Sequence, residues 1–347
     1  MGTLLYATLA EMIFDLELPG IAKRHEAQTL GRLRAASDWL TMRAGRFVPV
    51  TETRRYDGPT LATGRGNPLF VDPLLAITSI ANGATTLSAS DYLLYPRSRH
   101  WANGPYTRIE IDPDASSLGA WSTVRDDIAI SGRWGKYEES ATTNATVANT
   151  TQIDASATAL KVSDGSRVSP GMVLLVGTEQ MIVDEAGAPV AATSLVNGAI
   201  DATNDQLVVD NGAEFFTGEI LQIGTEDLRI ESINGNTLAV TRKWNETNAD
   251  AIANDAAIKV YRQYTVQRGA NGTTAAAHAN GVAINRYVAP WDVNWLARQI
   301  AGLMLKKAKG GFAGKSGNAE LGEVFYHDEF PKKQVADVVR AYALTGI

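Results

Sequence analysis

Cysteine is absent from the 347 residues. Its absence excludes disulfides, thiolate metal centres and a cysteine nucleophile, and leaves the redox compartment open. Histidine is scarce. The four, His25, His100, His278 and His327, include no pair at metal-ligand spacing such as H-x-x-x-H. No G-x-S-x-G elbow is present. No apolar run approaches the length of a membrane span. The first twenty residues, MGTLLYATLAEMIFDLELPG, lack the basic n-region of a secretory signal and carry Glu11, Asp15 and Glu17. A protein made and kept, or assembled, in a cytoplasm is expected. No basic block marks a nucleic-acid surface, since 32 Lys and Arg face 38 Asp and Glu for a net charge of -6.

A phosphate-binding loop is also missing, although AKGGFAGKSG (308–317) has its ingredients. A P-loop needs G-x-x-x-x-G-K-[ST] after a buried strand and before a helix. Here Gly314-Lys315-Ser316 supplies the end, but the first glycine position is Lys309 and the stretch follows a helical pattern. It reads as a flexible loop between helices. Asp126-Asp127 and Glu138-Glu139 are adjacent carboxylates of the kind found as solvated loop charges, not acid/base pairs. No cofactor, no metal and no enzymatic activity are expected.

What is there is organised in blocks. Residues 4–17 and 25–43 read as helices, with Leu30, Leu33, Ala36 and Leu40 on one face and Gly45 as a stop signal. From Arg46 to Tyr137, short β-rich runs such as RFVPVTETRRY, LLAITSI and DIAISGRW alternate with turn sequences such as YDGP and ANGA. They predict a small antiparallel sheet. Residues 138–158 are small and polar and read as a linker or an edge. Strand signals continue to about 287. Helix returns at 291–308 behind Pro290, and Pro331 opens a last helix through Val335, Val338, Val339 and Tyr342. Charge divides the same way. Residues 143–285 hold 8 basic and 16 acidic residues (net -8), leaving 24 and 22 (net +2) in the flanks.

The central block contains an internal repeat. IDASATALKVSDGSRVSPGMVLLVGTEQMIVD (153–184) matches IDATNDQLVVDNGAEFFTGEILQIGTEDLRIE (200–231) without a gap. VTRKWNETNADAIANDAAIKVY (240–261) matches VQRGANGTTAAAHANGVAINRY (266–287) at a different offset. Two offsets in the order opening, opening, closing, closing suggest one module (200–262) nested inside another (153–198 plus 264–287). A tandem array with a truncated copy is the alternative. Glu179 and Glu226, in VGTE and IGTE, read either as paired acids or cation ligands, or as the solvent-facing ends of hairpin turns in which glycine supplies a positive φ. His278 aligns with Ile252, so the position accepts an apolar side chain.

ASDWLTMRAGRFVPVTETRRYDG (36–58) resembles the head–tail adaptor (connector or head-completion) proteins of tailed phages. The resemblance is carried by Trp39, Gly45, Arg46, Phe47, Thr53, Arg54, Arg55, Tyr56, Asp57 and Gly58. It continues through Asp91, Tyr92 and Pro96, PYTRIEI (105–111), Gly132, Trp134 and Gly135, and FPKKQVADVVRAY (330–342). It spans about 1–140 and 286–347. The acidic block between departs from the family pattern and reads as an insertion.

The resemblance implies an α+β fold: a helical adaptor core with a small antiparallel sheet (1–142 and 286–347) and an inserted all-β region (143–285) of two related small modules. It further implies a structural virion protein at the neck, assembled in the host bacterial cytoplasm. Such a protein forms a ring of about a dozen identical subunits. The ring joins the portal protein to a tail-side connector (stopper or tail-terminator) and lets double-stranded DNA slide through without sequence-specific binding. Lys306, Lys307, Lys309, Lys315 and Phe330 are the candidate contacts to portal, neighbour or channel. The competing expectation is a virion surface module whose β domains bind host carbohydrate or protein.

Overall fold

Helix α1 (Leu9–Asp15) begins at a capping box, where the Thr8 hydroxyl accepts from Glu11 N–H and the Glu11 carboxylate accepts from Thr8 N–H. This cap starts the helix later than apolar spacing alone suggests. α2 (Lys23–Ala44) buries Leu30, Leu33, Ala36 and Leu40 and ends at Gly45, whose φ of +88° stops the helix. α3 (Trp291–Lys309) buries Val293, Leu296, Ala297, Ile300 and Ala301, and α4 (Lys332–Ala341) adds Val335 and Val338. These stripes, with Phe47 and Val48, close one core. Cutting a fully buried leucine such as Leu33 or Leu296 to alanine there would cost about 2–5 kcal/mol. The computed structural model describes residues 5–16, 23–59, 68–98, 104–116, 118–309, 315–316, 325–326 and 331–344.

A first antiparallel sheet follows α2. It comprises β1 (Val50–Tyr56), β2 (Leu69–Asn82), β3 (Thr85–Leu87), β4 (Tyr92–Tyr95), β5 (Tyr106–Ile111) and β6 (Ile128–Trp134), in the order β1-β6-β2-β5-β4 with β3 on β2. Pro73, which cannot donate to the ladder, sits where the β2–β5 register shifts between Phe70 and Leu74. The core beneath contains Trp134, Ile80, Ile109, Ile128 and Ile130.

The chain then builds a second sheet in two visits. The first supplies β7 (Ser140–Thr146), β8 (Gln152–Ile153), β9 (Ala159–Lys161), β10 (Val173–Val176) and β11 (Glu179–Ala186). It leaves for a third sheet of β12 (Val190–Leu195), β13 (Gln206–Val208), β14 (Ile220–Ile223), β15 (Glu226–Asn234), β16 (Thr237–Trp244) and β17 (Ala257–Val260). It returns as β18 (Gln263–Gln267), β19 (His278–Ala279) and β20 (Ala283–Tyr287). β11 pairs with β18, with Ile182 opposite Gln267 and Val183 opposite Val266. The sheet orders are β7-β20-β10-β11-β18-β9 and β12-β17-β14-β15-β16-β13, so equivalent strands hold equivalent places. Each sheet closes on its own core, Leu160, Leu174, Met181 and Val266 in the first β unit, Leu207, Leu221, Leu228 and Val240 in the second. The third sheet begins before the aligned segment, because β12 pairs with β17.

Two expectations are corrected. The fold is not a helical core with a small sheet, because 40% of residues are in strands and 21% are helical. The sheet of residues 50–134 alone has six strands, and the helical core is completed by Val173, Ile182 and Ala270 from the first β unit. Of the two readings of 138–158, linker or edge, the linker is corrected and the edge is found: the stretch contains β7, which stands at the end of the second sheet and among the described strands pairs only with β20. An edge strand of Ser, Ala, Thr and Asn carries little apolar signal, since one flank meets solvent.

Candidate functional site

The expected contact residues do not form one loop. Lys306 is exposed and Lys307 half-buried on the last turns of α3, which runs on to Lys309. Lys315 belongs to the short strand β21 (Lys315–Ser316), where it lies opposite Tyr326 of β22 (Phe325–Tyr326). The flexible stretch expected at 308–317 is thus helix at its start and strand near its end. Phe330 lies outside the described residues.

The two glutamates of the repeat are neither solvent-facing nor available to a ligand. Glu179 and Glu226 are each 1% exposed. Each follows a two-residue hairpin turn whose glycine, Gly177 or Gly224, has φ +60°. The Glu179 carboxylate accepts from Arg268 Nε and Nη2 at 2.8 and 2.9 Å and from Gly269 and Ala276 N–H. Glu226 accepts from Arg242 Nε and Nη2 at 2.8 and 2.6 Å and from Lys243 and Asp250 N–H. The remaining guanidinium donors reach equivalent carbonyls, Asp154 and Ala157 in one unit, Asp201 and Asn204 in the other. Burial would push Glu179 up, but Arg268, the Ala276 and Gly269 amides and His278 outweigh it and hold the carboxyl at about 2. His278 Nε2 lies 2.8 Å from Glu179. It serves the staple, and among the described residues no group of three His, Cys, Asp or Glu could hold a metal ion.

Three of the four other carboxylates singled out are likewise engaged locally. Asp127 accepts from Ser122 Oγ, Glu138 from Arg133 and Glu139 from Tyr137.

A cleft of about 960 Å³ opens where α1, the first β unit and the second β unit meet. Its walls include Ile13 and Phe14 of α1, Pro170 of the first unit, and Asp227, Trp244 and Tyr261 of the second. Asp227 is 5% exposed and accepts from Asn245 Nδ2 at 3.0 Å and from Tyr261 Oη at 3.2 Å. Burial pushes its carboxyl up, against those hydrogen bonds. The Arg229 guanidinium lies 5.2 Å from the Trp244 ring. Trp244 Nε1 is buried and has no hydrogen-bond partner among the described residues. Nothing in the spacing of these residues marks a cleft. The available signal was Trp244 and Tyr261 on the repeat's second segment, one replacing an alanine.

No family model matches this chain, and no curated protein or solved structure matches it.

Proposed function

We propose that this chain is a structural subunit of a phage head–tail adaptor ring, joining the portal to the tail-side connector and extending the DNA channel. The reading starts from the ordered resemblance in residues 1–140 and 286–347. The observation that carries it is that these two parts, remote in sequence, pack as one body. The Asn294 amide donates to Tyr6 O, Arg298 pairs with Asp15 at 2.6 Å, Lys136 Nζ donates to Tyr342 O, and the Tyr342 ring meets Phe47 edge-on at 4.8 Å. The first β unit completes the core of this body through Val173, Ile182 and Ala270, and the second β unit closes on a separate core of its own. Met42 on α2 and Trp291 on α3, 76% and 73% exposed, offer apolar anchors of the kind subunit contacts use.

The test is to mix the full chain with purified portal from the same genome and image the product by electron microscopy. A ring seated on the portal with density projecting from it is expected. Absence of association by a well-folded protein would remove the adaptor reading. It would bring forward the second one, a surface-binding protein, which rests on the cleft.

A further inference from the structure

The two β units present the same face to different surroundings. In the first unit this face comprises Val173, Gln180, Ile182, Ala270, Asn271 and Tyr287. It is fully used. Val173, Ile182 and Ala270 are buried in the helical core, and Tyr287 packs against it. Asn271 Nδ2 donates to Gln180 Oε1 at 2.7 Å, and this amide pair grips the stretch leading into β1. Gln180 Nε2 donates to Pro49 O at 3.1 Å, and Arg46 Nη2 donates to Asn271 Oδ1 at 2.5 Å. The occupant at this amide end of the face is an arginine-bearing segment, residues 46–51, which bends at Phe47 and Val48 before entering β1, while the helical core covers the apolar end.

The equivalent residues of the second unit are Ile220, Asp227, Arg229, Trp244, Asn245 and Tyr261, and all six line the cleft. The local network is preserved. Asn245 Nδ2 donates to Asp227 as Asn271 donates to Gln180. Asp227 N–H donates to Thr247 Oγ1 at 3.0 Å as Gln180 N–H donates to Thr273 Oγ1 at 2.9 Å. The occupant differs, because no segment of the described chain takes the place that 46–51 takes in the first unit.

The substitutions on this face are not those of a surface released to water. Alanine has become Trp244, whose Nε1 donor is buried without a partner among the described residues. Gln180 has become Asp227, buried beside Glu226 and with no basic side chain at ion-pair distance among the described residues. A buried carboxylate without a counter-charge favours an incoming cation. A buried indole N–H favours an incoming carbonyl. Glu246 in place of Gly272 removes the close approach to Thr51 O, so the second face accommodates a different backbone path.

We infer that the Asp227–Trp244 face of the second β unit is a docking site for an arginine-bearing polypeptide segment of a protein partner, bound as the amide end of the first unit's face binds residues 46–51. The inference stands on the internal duplication and is independent of the adaptor reading. The guanidinium would meet Asp227, a backbone carbonyl would take Trp244 Nε1–H, and apolar neighbours would cover Ile220 and the indole.

The test titrates the full chain into a fluorescein-labelled, end-blocked peptide with the sequence of residues 46–51 (RFVPVT), read by anisotropy. Saturable binding is expected, weakened at least tenfold by Asp227→Asn or Trp244→Ala, and equally by the Arg46→Gln form of the peptide. The peptide change is independent of how either protein variant folds. No saturation up to about 1 mM, or equal affinity for wild type and Asp227→Asn, would overturn the inference. So would indifference to the arginine.

Discussion

Glu219 and Arg262 join the two β units. The Arg262 Nε and Nη2 donate to the two Glu219 oxygens at 2.6 and 2.7 Å, and Glu219 is fully buried. Gly165 N–H of the first unit donates to the same carboxylate at 2.9 Å, as does Phe216 N–H of the second at 3.0 Å. One carboxylate therefore holds both units and the strand connection between them. The aligned position in the first unit is Met172, so this staple belongs to the junction and not to the repeat. Arg262→Ala strands a buried charge, and a loss of about 3–5 kcal/mol is expected in urea denaturation. Adding Glu219→Gln should return part of that loss, because the amide oxygen still accepts one N–H while the charge is gone. A double variant no better than Arg262→Ala would refute the charge argument.

The second unit should be removable. Gly187 N–H donates to Gln263 O at 2.8 Å, so the chain leaves and re-enters the first unit at adjacent points. Replacing 188–261 with a short glycine-rich turn keeps the β11–β18 pairing and most of the first unit's core, of which Val168 and Tyr264 border the cleft shared with the second unit. Circular dichroism and a cooperative thermal transition are expected to persist. Loss of the transition would show that the first unit depends on the second for more than the Glu219 contacts.

Some of this architecture was legible because its signals are local. The three-to-four spacing in α2 and α3 reports burial on one face, and Gly45 reports a helix end. The duplicated Gly-Thr-Glu turns were visible too, as were Arg242 and Arg268 at matching positions. What the sequence hid was that these conserved-by-repeat residues meet. Glu179 and Arg268 lie 89 residues apart, and only strand pairing across the interruption brings them together. Reading the glutamates as solvent-facing followed from turn chemistry alone, which is blind to a partner arriving from a distant strand. The extent of sheet was underread for a similar reason. Short strands such as β9 and β13, three residues each, show no periodicity of their own and exist because neighbours supply the ladder.

Acid should loosen the first unit through Glu179. Its folded carboxyl is held at about 2, below the ordinary 4.5. The stabilisation is therefore complete above the unfolded value and is lost as pH falls from about 4.5 towards 2. Asp227 works in the opposite direction, since a raised folded value makes protonation favour the folded state. Comparing urea midpoints of wild type and Glu179→Gln between pH 7 and pH 2.5 separates the two. The variant is expected to be weaker at pH 7, and the gap should narrow steadily below 4.5. A gap of constant size would mean that the Arg268 hydrogen bonds stabilise the fold without any contribution from charge.

Two glycines of similar backbone conformation should respond unequally to alanine. Gly224 has φ +60° and, among the described residues, nothing within 4 Å of an added Cβ. Gly272 has φ +78°, and an added Cβ would fall 1.9 Å from Thr51 O. Left-handed backbone alone costs alanine roughly 1 kcal/mol, which is the full effect expected for Gly224→Ala. Gly272→Ala must also push β1 away from the first β unit, and overpacking of this kind adds about 1–3 kcal/mol. That displacement strains the Gln180–Pro49 and Arg46–Asn271 hydrogen bonds, which lie on the same seam. Faster amide exchange at Val50 to Thr53 in Gly272→Ala, but not in Gly224→Ala, is the expected signature. Equal destabilisation by the two substitutions, with exchange unchanged in both, would mean that the seam between β1 and the first unit yields without loss and that its hydrogen bonds do not hold the unit in place.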